Sequence, residues 1–145
     1  MLAEDNPGDV FLVKRALNEH LANGENSFTL MLAKDGEEAI RILEQAEAGQ
    51  EAIDLMLIDL NLPRRDGGEV LARLRKMHHL AGIPVIVMTS SDSPRDRERC
   101  MGLGANHYFQ KPTELNGFME IGKIVAGLID GQFNDSRVRI ELPPG

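Results

Sequence analysis

Two apolar runs that end on polar residues, "LMLID" at 55–59 and "IPVIVMT" at 83–89, constrain the fold more than any other feature of the chain. Four large apolar side chains in a row, Leu55 to Ile58, suit a strand covered on both faces, since a half-exposed strand would alternate apolar with polar. Asp59 marks where that strand leaves the sheet. Thr89 does the same for the second run, which is β-branched and entered through Pro84. Doubly covered strands belong to parallel sheets, whose crossover connections are usually helices.

Helical patterns fill the intervals. "NPGDVFLVKRALNEHLA" offers Asn6 as N-cap, Pro7 as first helical residue, and Val10, Val13, Leu17 and Leu21 at helical spacing. "SFTLMLA" (27–33) reads as a strand. Asp35 and Glu38 stand at capping-box spacing before a stripe of Ala39, Ile40, Leu43 and Ala46. Asp66 and Glu69 repeat the device before Val70, Leu71, Leu74 and Met77. A charged helix "SPRDRERCM", a strand "NHYFQ" and a helix over about 113–129 complete the pattern. The reading is α/β, a doubly wound and mostly parallel sheet with helices on both faces.

Composition narrows the partners. The 145 residues, 42% hydrophobic, suit one domain, here residues 1–130, with 131–145 as a tail too short for an output domain. A net charge of −7 argues against nucleic acid or an anionic membrane as partner, and the apolar runs are too short to span a bilayer. One cysteine, Cys100, leaves no intramolecular disulfide and no cysteine-based zinc cluster. The expectation is a cytoplasmic chain that meets another protein or a cationic ligand.

In a doubly wound fold, the ligand site lies outside the carboxyl ends of the strands. Glu4 and Asp5, Asp59, Thr89 with Ser90, and Lys111 all fall at such ends. Crowded carboxylates favour protonation unless a cation shares the site, and a hard divalent ion held by oxygen, magnesium above all, answers that need. Asp59 can then act as a nucleophile that forms an acyl phosphate, while Lys111 and the Thr89 hydroxyl hold phosphoryl oxygens. Taken singly, each residue has a blander role: Asp59 as a loop acid, Glu4 and Asp5 as helix-dipole partners, Lys111 as a solvated lysine.

The stretches "LAEDNPGD", "LMLIDLNLPRRDGGEVLARLR", "IPVIVMTSS" and "GANHYFQKP", in this order and spacing, resemble the receiver domains of two-component response regulators. Within that family the chain is most similar to the stand-alone receivers paired with phytochrome-type histidine kinases. The resemblance implies a flavodoxin-like sheet of five parallel strands in the order 2-1-3-4-5. It implies Asp59 as phosphoacceptor, Lys111 and Thr89 as its catalytic companions, and Thr89 and Tyr108 as the switch pair. The metal set it implies is Glu4, Asp5, Asp59 and the backbone carbonyl of Asn61. Most receivers carry two aspartates where this chain has Glu4 and Asp5. A phosphoryl group would draw Thr89 toward it and Tyr108 inward, altering the surface of the fourth helix, fifth strand and fifth helix.

Other classes fit less well. A haloacid-dehalogenase-type phosphatase needs a second aspartate two residues after the nucleophile, where this chain has Asn61. A flavin binder needs a hydroxyl- and glycine-rich phosphate loop where this chain has "AEDNPGD". A receiver-like module that works without phosphorylation is the remaining alternative. The chain is therefore expected to accept a phosphoryl group from a sensor histidine kinase, catalysing only its own transfer and slow loss. The last helix carries Leu115, Phe118, Met119, Ile121, Ile124, Val125, Leu128 and Ile129, more apolar surface than one core-facing side needs. With Gly117, Gly122, Gly127 and the alternating "VRIEL" of the tail, it suggests a homodimer through the fifth helix and tail.

Overall fold

The computed structural model describes residues 1–21 and 28–134, the last five by backbone alone. Five strands and five helices alternate: β1 (Leu2–Ala3), α1 (Pro7–Leu21), β2 (Leu32–Ala33), α2 (Gly36–Glu47), β3 (Met56–Asp59), α3 (Gly67–Arg75), β4 (Val85–Thr89), α4 (Pro94–Gly102), β5 (His107–Gln110) and α5 (Leu115–Asn134). Every strand pair is parallel, in the order β2-β1-β3-β4-β5. The chain divides into two compact units, one of Met1–Val10 with Leu30–Pro112, the other of Phe11–Thr29 with Thr113–Gly145.

The first unit holds the whole sheet with α2, α3 and α4. Its core joins Ala33, Met56, Ile58, Val85 and Val87 of the strands to Leu43 of α2, Val70, Leu71 and Leu74 of α3, and Cys100 of α4. Leu57, Ile86 and Met88, which the two-residue strand period sends to the other face, are buried too. β3 and β4 are thus covered on both sides, as their unbroken apolar runs require.

Helix starts follow the sequence closely. Asn6 Oδ1 accepts from Asp9 N at 3.1 Å, Asp35 Oδ1 from Glu38 N at 2.8 Å, and Asp66 Oδ1 from Glu69 N at 2.9 Å. Glu38 reaches back to the amide of Lys34, one residue before the cap. Three ends differ from expectation. β2 covers Leu32 and Ala33 rather than 27–33, because its partner β1 pairs through Leu2 and Ala3 alone; Ser27 and the "VRIEL" of the tail lie outside the described residues. α3 stops at Arg75, before Met77, where Glu47 at the end of α2 accepts the amides of His78, His79 and Leu80 and turns the chain out of the helix. α5 runs past Ile129 to Asn134, since a glycine such as Gly131 weakens a helix by about 1 kcal/mol without forbidding it.

In the second unit, a Cβ on Gly122 would overlap the Ala16 carbonyl oxygen and the His20 ring, so glycine is what lets α5 approach α1 there. A Cβ on Gly127, by contrast, would meet nothing within 4 Å. Phe118, Ile121 and Val125 are buried, and Leu115 is 41% exposed.

Gly67 opens α3 directly beneath the end of β3. A Cβ there would strike the Asp59 carbonyl oxygen and lie 2.9 Å from the Leu60 Cα, both main-chain atoms that cannot rotate away. Gly67→Ala is expected to cost roughly 1–3 kcal/mol, the usual range for overpacking. Gly82→Ala, where a Cβ meets nothing within 4 Å, should be near neutral. Urea midpoints of the two variants check this.

Candidate functional site

Because all five strands run the same way, their carboxyl ends share one edge, and the polar residues that follow them are gathered there. Glu4 and Asp5 follow β1, Asp59 is the last residue of β3, Thr89 the last of β4, and Lys111 the first after β5. Glu4, Asp59 and Thr89 are buried, at 1%, 5% and 0% exposure, while Asp5 faces solvent.

Lys111 is the hub. Its ammonium lies 2.7 Å from Glu4 Oε1, 2.8 Å from Asp9 Oδ2 and 3.0 Å from Asp59 Oδ2. The contacts to Asp9 and Asp59 are directed hydrogen bonds; the one to Glu4 Oε1 is an ion pair without hydrogen-bond geometry. The other Glu4 oxygen accepts from the amides of Asp5 and Asn6 at 3.1 and 3.3 Å. Asp59 Oδ1 accepts from the Asn61 amide at 3.0 Å, which fixes the carboxylate from the loop side.

The charges are out of balance, with one buried cation facing three acids. Burial, the largest influence, and the neighbouring Asp59 push Glu4 up to about 7 against the pull of Lys111. Burial alone would lower Lys111, but its contacts with Asp9 and Glu4 and the charge of Asp59 outweigh that and hold the ammonium above its ordinary range. The lysine therefore stays charged, and the most buried acid absorbs the excess.

Excess negative charge is what a divalent cation would relieve. Glu4, Asp5 and Asp59 each offer one oxygen, and these lie within 4.8 Å of one another. That spread suits a single oxygen-coordinated ion with metal–oxygen distances of about 2.0–2.6 Å, so the residues fit a hard divalent metal.

Thr89 begins a second line of contacts. Its Oγ1 accepts from the Ser91 amide at 3.1 Å and, at the long distance of 3.5 Å, from Asn61 Nδ2. The Ser91 carbonyl accepts from the Tyr108 hydroxyl at 3.1 Å, and the Ser91 hydroxyl donates to Asp96 of α4 at 2.7 Å. The Tyr108 ring is 9% exposed and belongs to the core cluster, with the Arg97 guanidinium 5.7 Å from its centroid. The ring is thus packed into the core.

Glu4, Asp5, Asp59, Asn61, Thr89, Tyr108 and Lys111 lie in these two groups, while Ser90 is exposed and belongs to neither. Sequence reasoning missed Asp9. An acid in a first helical turn is common for dipole reasons alone, and nothing local announces a bond to a lysine 102 positions away. It also missed Ser91 as the junction between Thr89, Tyr108 and Asp96.

The profile of the response regulator receiver domain matches residues 1–122. Response regulator Rcp1 of Synechocystis sp. is 33% identical over 130 residues, which cover 88% of this chain and 84% of that protein. Two-component response regulator ORR1 of Oryza sativa subsp. indica is 32% identical over 124 residues, 85% of this chain but 53% of that protein, so the chain spans about half of its length. Among solved structures, the phosphorylated cyanobacterial phytochrome response regulator RcpA is 34% identical with a TM-score of 0.74, covering 93% of this chain and 92% of that one. The Mn2+-bound form of Rcp1 follows at 33% and 0.71, covering 89% of each chain. Fold, strand-end chemistry and sequence agree, and the chain belongs to the family of response regulator receiver domains.

Proposed function

We propose that the receiver of residues 1–130 is a phosphorylatable switch whose acceptor is Asp59. The observation that carries this reading is the Asp59 carboxylate held between the Asn61 amide and the Lys111 ammonium at the sheet edge. Transfer breaks the phosphorus–nitrogen bond of a phosphohistidine and forms a phosphorus–oxygen bond to Asp59, as the family's aspartyl phosphorylation implies. Lys111 and the Thr89 hydroxyl take phosphoryl oxygens, and only the chain's own transfer and slow hydrolysis are catalysed. The metal is Mg2+, held by Glu4, Asp5, Asp59 and the Asn61 carbonyl, and when bound it screens the phosphoryl oxygens from these carboxylates. The Mn2+ named for the Rcp1 structure supports a divalent ion as the ligand.

Signal leaves through Thr89, Ser91 and Tyr108 toward α4, as a protein contact. The donor is a sensor histidine kinase of the phytochrome type, a reading supported by the similarity to RcpA. The active form is a homodimer through α5 and the tail, tightened by phosphorylation. The half-buried Met119, Ile124, Leu128 and Ile129, with exposed Leu115, support a further apolar contact on α5.

Wild-type protein is expected to take up acid-labile label from acetyl phosphate and Mg2+, and Asp59→Asn to take up none while keeping its fold. Label retained by Asp59→Asn would refute the acceptor. For Glu4, a folded-state value raised to about 7 means stability that is fully present below pH 4.5 and lost as pH rises through 7. In metal-free buffer at pH 8, Glu4→Gln should therefore melt higher than wild type by about 5 °C, with the gain gone near pH 4. Mg2+ should stabilise wild type more at pH 8 than at pH 5.5, because the metal binds the deprotonated acid. Scanning calorimetry reads both effects. Sedimentation equilibrium at high micromolar concentration should show a dimer that beryllofluoride strengthens; a monomer under both conditions would exclude it.

A further inference from the structure

Lys111 offers one ammonium to three carboxylates, and a phosphoryl group on Asp59 needs that ammonium for itself. A bond to one of the present partners must then be given up. Glu4 is a poor candidate, since its side chain is fully buried and its second oxygen is already tied to two amides. Asp59 carries the group. Asp9 remains: its side chain is 22% exposed, and among the described residues Lys111 is the one partner of its carboxylate.

We propose that Asp9 is a positioning residue, the resting counter-ion of Lys111, which is displaced when phosphoryl oxygens bind and so sets how tightly the acceptor site holds them. This rests on the acceptor reading of Asp59 and adds to it a competitor built into the first turn of α1. Released from Lys111, the Asp9 carboxylate can turn to solvent while staying at a helix N-terminus, where negative charge is favoured. Its departure is therefore inexpensive compared with expelling Glu4 into an unpaired buried state. The consequence has a definite sign. A residue needed to hold the site together would weaken phosphoryl binding when removed, whereas removing a competitor strengthens it.

The test is beryllofluoride binding in saturating Mg2+, measured by isothermal calorimetry on wild type, Asp9→Asn, Asp9→Ala and Asp9→Glu. The two neutral variants are expected to bind roughly tenfold tighter, the effect of freeing one charge-assisted hydrogen bond. Asp9→Glu should return toward wild type. The gain should persist in about 0.5 M salt, which screens distant repulsion but not a direct contact. Equal or weaker binding by both neutral variants would overturn the role of Asp9, as would a gain that vanishes at high salt. A wild-type protein that neither binds beryllofluoride nor takes up label from acetyl phosphate would instead overturn the acceptor reading, and the Asp9 proposal with it.

Discussion

The charge balance at the ammonium of Lys111 is the constraint on which the site depends. Glu4 and Asp59 are buried, and acids in that position are tolerated only with a cation in contact. No local stretch of sequence could supply it, because Glu4, Asp59 and Lys111 lie far apart along the chain. A parallel sheet solves the problem by geometry, since every strand delivers its last residue to the same edge. The strand pairing and the ion cluster thus need one another: the sheet assembles the charges, and the lysine makes their burial bearable.

Which parts of this were legible in the sequence follows from how local their causes are. β3 and β4 could be read because burial on both faces leaves unbroken apolar runs, and the helix starts because Asn6, Asp35 and Asp66 act on amides three residues away. The ends of α3 and β2 could not. Glu47 reaches 31 residues or more to the amides that follow α3, and the length of β2 is set by a partner strand, β1, not by its own β-propensity. Gly122 is a similar case, since its close neighbours Ala16 and His20 belong to α1. The acidic pair, Asp59, Asn61, Thr89, Tyr108 and Lys111 stood out through family resemblance together with strand-end position. Asp9 matched a commoner role and so stayed hidden.

The polar groups beyond Asp59 form a short chain of hydrogen bonds. Thr89, Ser91 and Tyr108 are joined through the Ser91 amide and carbonyl, so a shift of one backbone segment moves both hydrogen bonds. The Ser91 hydroxyl adds a third attachment, to Asp96 in the first turn of α4. Packed elements of this kind change between discrete arrangements, because a dense interior does not deform smoothly. Arg97, against the Tyr108 ring, places an exposed cation at the end of this chain.

The two acidic elements of the site are held by ladders of different width. β1 lies between β2 and β3, yet it is held to each through two residue pairs, whereas β3 and β4 share four. Leu2 and Ala3 are nonetheless fully buried, and the Met1 carbonyl accepts a further bond from the Leu57 amide. The Leu2 amide donates to the Met31 carbonyl and the Glu4 amide to the Ala33 carbonyl. The acidic pair follows directly on this short ladder, so Glu4 is placed by its backbone bond to Ala33, whereas Asp59 stands within the four-pair ladder at the centre of the sheet.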